Sequence, residues 1–388
     1  MASQEVSGRA LLRQARELYA GYHEQVEPTG KRVAIIRFEP APDDPPEWAA
    51  RLEASKVSAE QKVKSFEHLG FIADHVVMPH DATRQDFAEA LNRFNTDAKT
   101  AAIIVQFPPP AHMRPVVDDM DPAKDIDGLL KECSPYRACA TAEGIYRVVE
   151  PYAQDNPSIA VVGSRGFVGQ GVVTMLKENG IQPIELDAGD DLTRVRDADI
   201  VVSVTGNPGI IGREHLQEHH RLVVDSGFVP QPDGSVMGDI RRDAYDIPQN
   251  ITPVPGGIGP VEMATLMERV TRQEVDPHVT PWRAQAQHYQ TREQLGQAQT
   301  ASAVPEQARG HGPQGQYRGE GQGAAAQQGV SPQNQPIKAA ASMKSAKGNA
   351  AGQGSAQQAN TAGQRSAGTA QRVTPPRPPQ QPGGGPSR

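Results

Sequence analysis

The chain has 388 residues, a formal net charge of −7 and only 37% hydrophobic residues, too few for a chain of this length to be packed throughout. The deficit is local: from residue 277 onward Gln, Ala, Gly and Pro dominate, with 11 Lys or Arg against 3 Glu, so residues 277–388 are expected to form a disordered basic tail. The remaining residues carry 28 basic and 43 acidic side chains, a net −15, which suits a small-molecule enzyme and argues against specific nucleic-acid binding, leaving the tail weak contacts with acidic partners.

The polar opening MASQEVSGRALLRQARELY has no apolar core of a signal peptide, and no apolar run reaches membrane-spanning length. Cys133 and Cys139 lack the second ligand pair that a zinc site needs, so no metal is expected. They read as free thiols of a cytoplasmic protein.

In chain order, residues 8–26 read as an amphipathic helix with Leu11, Leu12, Ala15, Leu18 and Tyr19 on one side. Residues 32–38 form a strand, the proline-rich stretch 40–48 a loop, and residues 48–69 a helix ended by Gly70 in the C′ position. A strand at 73–78, a helix at 83–95 and an apolar strand at 101–106 follow. This alternation predicts an α/β domain with a mainly parallel sheet, whose ligands gather at the carboxyl ends of strands. Gln106 falls at such an end, and Asp127 in the loop region beyond it.

Residues 156–180 read as strand, tight turn and helix in immediate succession. Gly163, Gly166 and Gly169 make a G-x-x-G-x-x-G turn through which a backbone can pass close to a pyrophosphate at the positive end of a helix. The spacing departs from G-x-G-x-x-G, and a plain strand-to-helix turn needing positive φ is its bland alternative. The rhythm continues with strands at 183–186, 199–204 and 222–227, a turn at 205–209 and a two-stranded excursion around Pro232, Asp233 and Gly234. ITPVPGGIGPVEMATLMERV then runs from a stiff glycine-proline loop into a helix, and loops this rigid tend to shape a site. The expected domains are 1–150, 151–276 and the tail 277–388.

VQFPPP, DPAKDIDG, the glycine turn, ADIVVSVTGNPG, VVDSGF, MGDI and ITPVPGGIGP, in this order over residues 8–275, resemble the bifunctional methylenetetrahydrofolate dehydrogenase/cyclohydrolases. The resemblance implies an N-terminal α/β catalytic domain, a C-terminal Rossmann-type dinucleotide-binding domain, a cleft between them and a homodimer. It also implies oxidation of 5,10-methylenetetrahydrofolate and hydrolysis of the methenyl product to 10-formyltetrahydrofolate, with tetrahydrofolate as the carrier.

The family's central lysine stands eight residues before a helix-ending glycine, which in this register is Lys62 before Gly70. Without that register, a lysine in a charged helix is usually a solvated surface residue. Beside a cationic ligand in a dry cleft its pKa would fall, suiting it to proton transfer. Gln106 resembles the glutamine that bonds this lysine, and Asp127 the carboxylate that pairs with the pterin. Without the family, Gln106 would read as a strand cap and Asp127 as a helix cap. Ser58 stands where the family has its tyrosine, and Pro255, Gly256 and Gly257 complete the substrate-binding set.

For the cofactor the resemblance marks Gly163, Ser164, Arg165, Gly166, Gly169, Thr205 and Gly206, with Glu185 and Asp187 after the second strand. An acidic group there bonds the ribose hydroxyls of NAD and repels the extra phosphate of NADP, whereas Arg165 would reach that phosphate; the balance leans to NAD. Glu262 replaces a family threonine and is expected to repel a phosphate or to contact the nicotinamide amide. Residues 41–51 look like an insertion near the cleft mouth. Two other readings remain open on the sequence: a catalytically impaired homologue acting as a binding or scaffold protein through its tail, and a dehydrogenase of a different cyclic amine.

Overall fold

The computed structural model describes residues 3–285 apart from 131 and 232; the glutamine-rich stretch beyond 285 lies outside the described residues. In chain order the elements are β1 (Gln4–Glu5), α1 (Gly8–Tyr19), α2 (His23–Val26), β2 (Arg32–Phe38), α3 (Pro46–His68), β3 (Ile72–Met78), α4 (Arg84–Thr96), β4 (Thr100–Val105), α5 (Arg114–Val117) and α6 (Ala140–Val149). The second half adds β5 (Ile159–Val162), α7 (Phe167–Glu178), β6 (Ile184–Leu186), β7 (Ile200–Ser203), β8 (Leu222–Asp225), β9 (Val229–Pro230), β10 (Val236–Met237), β11 (Asn250–Ile251) and α8 (Ile258–Glu274).

β2, β3 and β4 make a parallel sheet in the order β3-β2-β4, and β1, β11, β8, β7, β5 and β6 make a second sheet in that order. Both sheets are covered on two faces, so their central strands are apolar on both sides. One core cluster gathers Val33, Ile35, Ile104, Ile159, Val161 and Val202 around residues of α1, α6 and α8, so these helices lie between the sheets. The alternate residues Ile36, Phe38 and Val105 face α4 on the outside of the first sheet, and Val162, Val201 and Val223 the outside of the second. Each such aliphatic side chain contributes roughly 1.5–3 kcal/mol by its burial.

Several expectations hold and several need correcting. Gly70 ends α3 at φ +90°, and a Cβ there would meet the His23 carbonyl oxygen at 2.8 Å. Thr83 caps α4 in a reciprocal capping box with Asp86, and β9 and β10 form the expected antiparallel excursion. The first helix breaks into a tighter turn at Ala20–Tyr22, around Gly21, before α2, and Leu18 on its expected apolar side is exposed. α3 begins within the proline stretch, at Pro46, because proline is tolerated in a first turn.

Two elements cross the sequence order. β1 pairs with β11 in the second sheet, and α8 packs against α1 and α6, against the first half of the chain. The packed chain also runs past the expected break at residue 276. Val279 and Trp282 are buried, and the Trp282 backbone N–H donates to Tyr19 Oη at 3.0 Å and Glu268 Oε2 at 3.1 Å. Two anchors in a polar stretch leave no periodicity to read.

Candidate active site

Ser58 and Lys62 lie one turn apart on α3, so both side chains leave the helix on the same face. Lys62 is only 1% exposed. Gln106 follows the carboxyl end of β4, where its N–H donates to the Ile36 carbonyl and its side-chain NH2 to the Ser55 carbonyl at 3.2 Å. That second bond turns Gln106 Oε1 toward the lysine. Lys62 Nζ donates to Gln106 Oε1 and Ser58 Oγ, each at 3.0 Å, and to Glu262 Oε1 of α8 at 2.6 Å.

Asp127 is buried beside this group and also receives the Ala140 N–H at 3.2 Å, so it stands at the start of α6 as well. Its neighbour Asp125 holds the loop, accepting N–H groups of Gly128, Leu129 and Leu130 at 2.9, 2.9 and 3.0 Å.

Glu262 has a partner that the sequence reading did not name: its carboxylate bonds the central lysine. Its charge also acts on the Lys62 pKa. Burial alone would lower it, but the charges of Glu262 and Asp127 carry it above its ordinary value. Burial pushes Glu262 up, against the opposing pull of Lys62.

A cavity of about 200 Å³ opens at the carboxyl ends of β5 and β7, where connections leave in opposite directions across the sheet. Gly163 and Gly166 line it, with Asp187, Asp190, Thr205 and Asn207. Gly163 adopts φ +88°, and a Cβ on Gly169 would lie 2.0 Å from the Gly163 carbonyl oxygen, so only glycine lets α7 start against this turn. Such a cradle fits a dinucleotide. Ser164 is buried with its N–H on the Leu186 carbonyl, and Arg165 is exposed with its N–H on Asp187 Oδ2 at 2.7 Å.

Asp239 fixes the second wall, accepting the Thr205 N–H at 2.7 Å and the Ser203 hydroxyl at 2.8 Å, beside Gly206 at φ +64°. Burial and the adjacent Asp239 push Asp225 up to about 7. Glu185 points elsewhere, pairing with Lys177 of α7 at 2.7 Å. Asp190 lines the cavity instead, through a loop for which the strand pattern has no signal.

Pro255 and Gly256 border a separate cavity with Ser7, Arg9 and Arg242, and Gly257 is the N-cap of α8. The structure therefore brings Ser58, Lys62 and Gln106 into contact, sets Asp127 within electrostatic reach, and adds Glu262.

The model of the tetrahydrofolate dehydrogenase/cyclohydrolase catalytic domain matches residues 14–127, and that of the NAD(P)-binding domain of the same enzymes matches residues 139–276. The bifunctional protein FolD of Staphylococcus aureus (strain bovine RF122 / ET3-1) is 30% identical over 243 residues, 58% of this chain and 84% of that protein. The chain belongs to the tetrahydrofolate dehydrogenase/cyclohydrolase family. Its fold is similar to that of Trypanosoma brucei N5,N10-methylenetetrahydrofolate dehydrogenase-cyclohydrolase solved with NADP and an inhibitor, at a TM-score of 0.60 and 24% identity over 70% of this chain and 97% of that one. The NAD-dependent 5,10-methylenetetrahydrofolate dehydrogenase of Saccharomyces cerevisiae has a TM-score of 0.54 and 16% identity over the same shares of the two chains.

Proposed function

We propose that Lys62, Gln106 and Asp127 are the catalytic centre of this family member, that Ser58 and the Pro255–Gly256–Gly257 loop border the folate, and that NAD is the preferred cofactor. The chain is an NAD(P)-dependent methylenetetrahydrofolate dehydrogenase with methenyltetrahydrofolate cyclohydrolase activity, an enzyme of folate one-carbon metabolism. The bound nicotinamide supplies the hydride acceptor for the first half-reaction, which otherwise needs two rings held in contact. The second half needs a proton mover. Lys62 takes that role on one observation above all: its ammonium is bonded to Gln106 at 3.0 Å at the end of a central strand, buried from solvent.

The preference for NAD is supported by Asp187 and Asp190, two carboxylates lining the cavity beside the glycine turn. Asp187 accepts the N–H groups of Arg165 and Ala188, which hold it below the ordinary carboxylate range. A fixed anion there suits ribose hydroxyls and opposes a ribose phosphate. A homodimer is supported by the edge strand β3, which among the described residues pairs only with β2 and leaves Ile72 44% exposed. A cytoplasmic location is supported by the free thiols of Cys133 and Cys139. No helix among the described residues is long and apolar enough to cross a membrane.

The test is absorbance-monitored oxidation of 5,10-methylenetetrahydrofolate by the full chain with NAD and NADP in parallel, beside a Lys62→Ala variant. Turnover is expected to be faster with NAD, and the variant to lose methenyl hydrolysis by on the order of 10²–10⁴-fold, the usual range for a proton-transfer group. Turnover with neither cofactor, or hydrolysis undiminished in the variant, overturns the reading.

A further inference from the structure

A protonated lysine has three N–H donors, and three acceptors meet Lys62: Ser58 Oγ, Gln106 Oε1 and Glu262 Oε1. A neutral amine has two donors and a lone pair, which the Ser58 hydroxyl could meet by turning its hydrogen, but the amide oxygen of Gln106 and the ionised Glu262 carboxylate can only accept. The carboxylate at 2.6 Å is therefore what favours the ammonium form.

The third acceptor arrives from 200 residues away, and its placement is built into the backbone. A Cβ on Gly8 would lie 1.7 Å from the Gly257 carbonyl oxygen, and one on Gly144 would lie 2.8 Å from Val261 Cγ1. These close approaches seat the first turns of α8 against α1 and α6, and Glu262 thereby faces α3. The ionisable groups around Lys62 are Glu262 from α8, Asp127 from the loop before α6, and the Cys139 thiol at the α6 N-cap. Glu262 in turn faces Lys62, Asp127 and the Thr141 hydroxyl. One cation meets two carboxylates.

We infer that Glu262 is a positioning residue for the folate reaction: it holds Lys62 as an ammonium between Ser58 and Gln106, so that Lys62 serves methenyl hydrolysis as the proton donor. The inference rests on the reading of Lys62 as the catalytic centre. In that half-reaction water oxygen bonds to the methenyl carbon while the C=N π pair withdraws onto nitrogen. The carbonyl then forms, the pair of the breaking C–N bond passes to the departing nitrogen, and that nitrogen takes a proton from Lys62. Both water protons pass to solvent and Lys62 recovers one of them, which stays on its amine beside the Glu262 carboxylate; the net release is one proton.

The test follows the Lys62 amine directly in the full chain, by NMR of protein carrying 13C at the lysine ε-carbon, with the signal assigned by a Lys62→Arg variant. Glu262→Gln keeps an acceptor oxygen but removes the charge. It is expected to lower the Lys62 midpoint by about one pH unit or more, a tenfold loss of proton affinity, and to move the alkaline limb of the hydrolysis rate profile down with it. Glu262→Asp is expected to restore both. An unmoved midpoint in Glu262→Gln, or a moved midpoint with an unmoved hydrolysis limb, overturns the inference while the folate reading stands. A folded wild type with no folate turnover overturns that reading itself, and with it the positioning role of Glu262, whatever the lysine titration shows.

Discussion

Gly8 and Gly257 touch so closely that a single methyl group on Gly8 would lie 1.7 Å from the Gly257 carbonyl oxygen. The first residue of α1 is thereby locked to the N-cap of α8, the helix that carries Glu262 to Lys62. Gly8→Ala must push two backbones apart, which should destabilise the fold by roughly 1–3 kcal/mol. It should also weaken folate turnover in whatever fraction remains folded. Thermal melts alongside single-turnover assays check this, and an unchanged melting temperature would show that the contact relaxes at no cost.

The cofactor cavity makes a second prediction through Asp187. Serine there keeps an acceptor for the Arg165 and Ala188 N–H groups but removes the charge that the proposed NAD preference sets against a ribose phosphate. Asp187→Ser should move the ratio of kcat/KM for NADP over NAD upward by about tenfold or more, since 1.4 kcal/mol of relieved repulsion is already a factor of ten. Steady-state kinetics with both cofactors decide it. A ratio that stays level would assign the discrimination to Asp190.

Glu143 makes a prediction for acid stability. It pairs with Arg269 of α8 at 2.6 Å and with Arg147 of its own helix, which in turn pairs with Glu268 of α8, so the cluster ties α6 to α8. Burial would push its carboxyl up, but the two guanidiniums outweigh that and hold it below its ordinary 4.5. The folded protein therefore binds this proton less tightly than the unfolded chain does. The stabilisation is complete above the unfolded value and fades as pH falls through the lower folded one. The melting-temperature gap between wild type and Glu143→Gln should stay level from about pH 8 to pH 5.5 and narrow below about pH 4.5. A gap that is flat or widening into acid would contradict the ion-pair account.

The buried Trp282 separates two truncations that the composition treats alike. Ending the chain after residue 276 removes Trp282, its N–H bonds to Tyr19 and Glu268, and the stacking of Arg147 over its ring at 5.3 Å. The loss should be about 3–5 kcal/mol, as for deletion of a buried tryptophan. Ending it after residue 285 should leave the melt and the folate turnover of the full chain in place. Equal stability of the two truncated proteins would deny the anchor any role.

The α/β alternation, the parallel sheets, the glycine turn and the distance from Lys62 to Gly70 were all legible in the sequence, because each rests on residues within a few turns of one another. Strand runs of β-branched residues and helical spacing express local backbone preferences, and positive φ at Gly163 and Gly70 is a local demand. Asp125 and Asp127 lie in one loop, and only the structure reveals that three N–H groups of that loop converge on Asp125.

Partnerships that span the chain were decided by the tertiary structure alone. Gln4 lies opposite Asn250 in a two-residue strand too short to carry a periodic signal. Glu262 meets Lys62, Glu268 meets Arg147, and Asp190 rather than Glu185 faces the cofactor cavity, because layered sheets and helices bring distant segments together. Charge and spacing can name a residue fit for chemistry. Which opposite charge it meets, and so which proton it keeps, depends on how the helices between the two sheets are packed, and that packing includes close approaches at Gly8, Gly144 and Gly257 that no local pattern encodes.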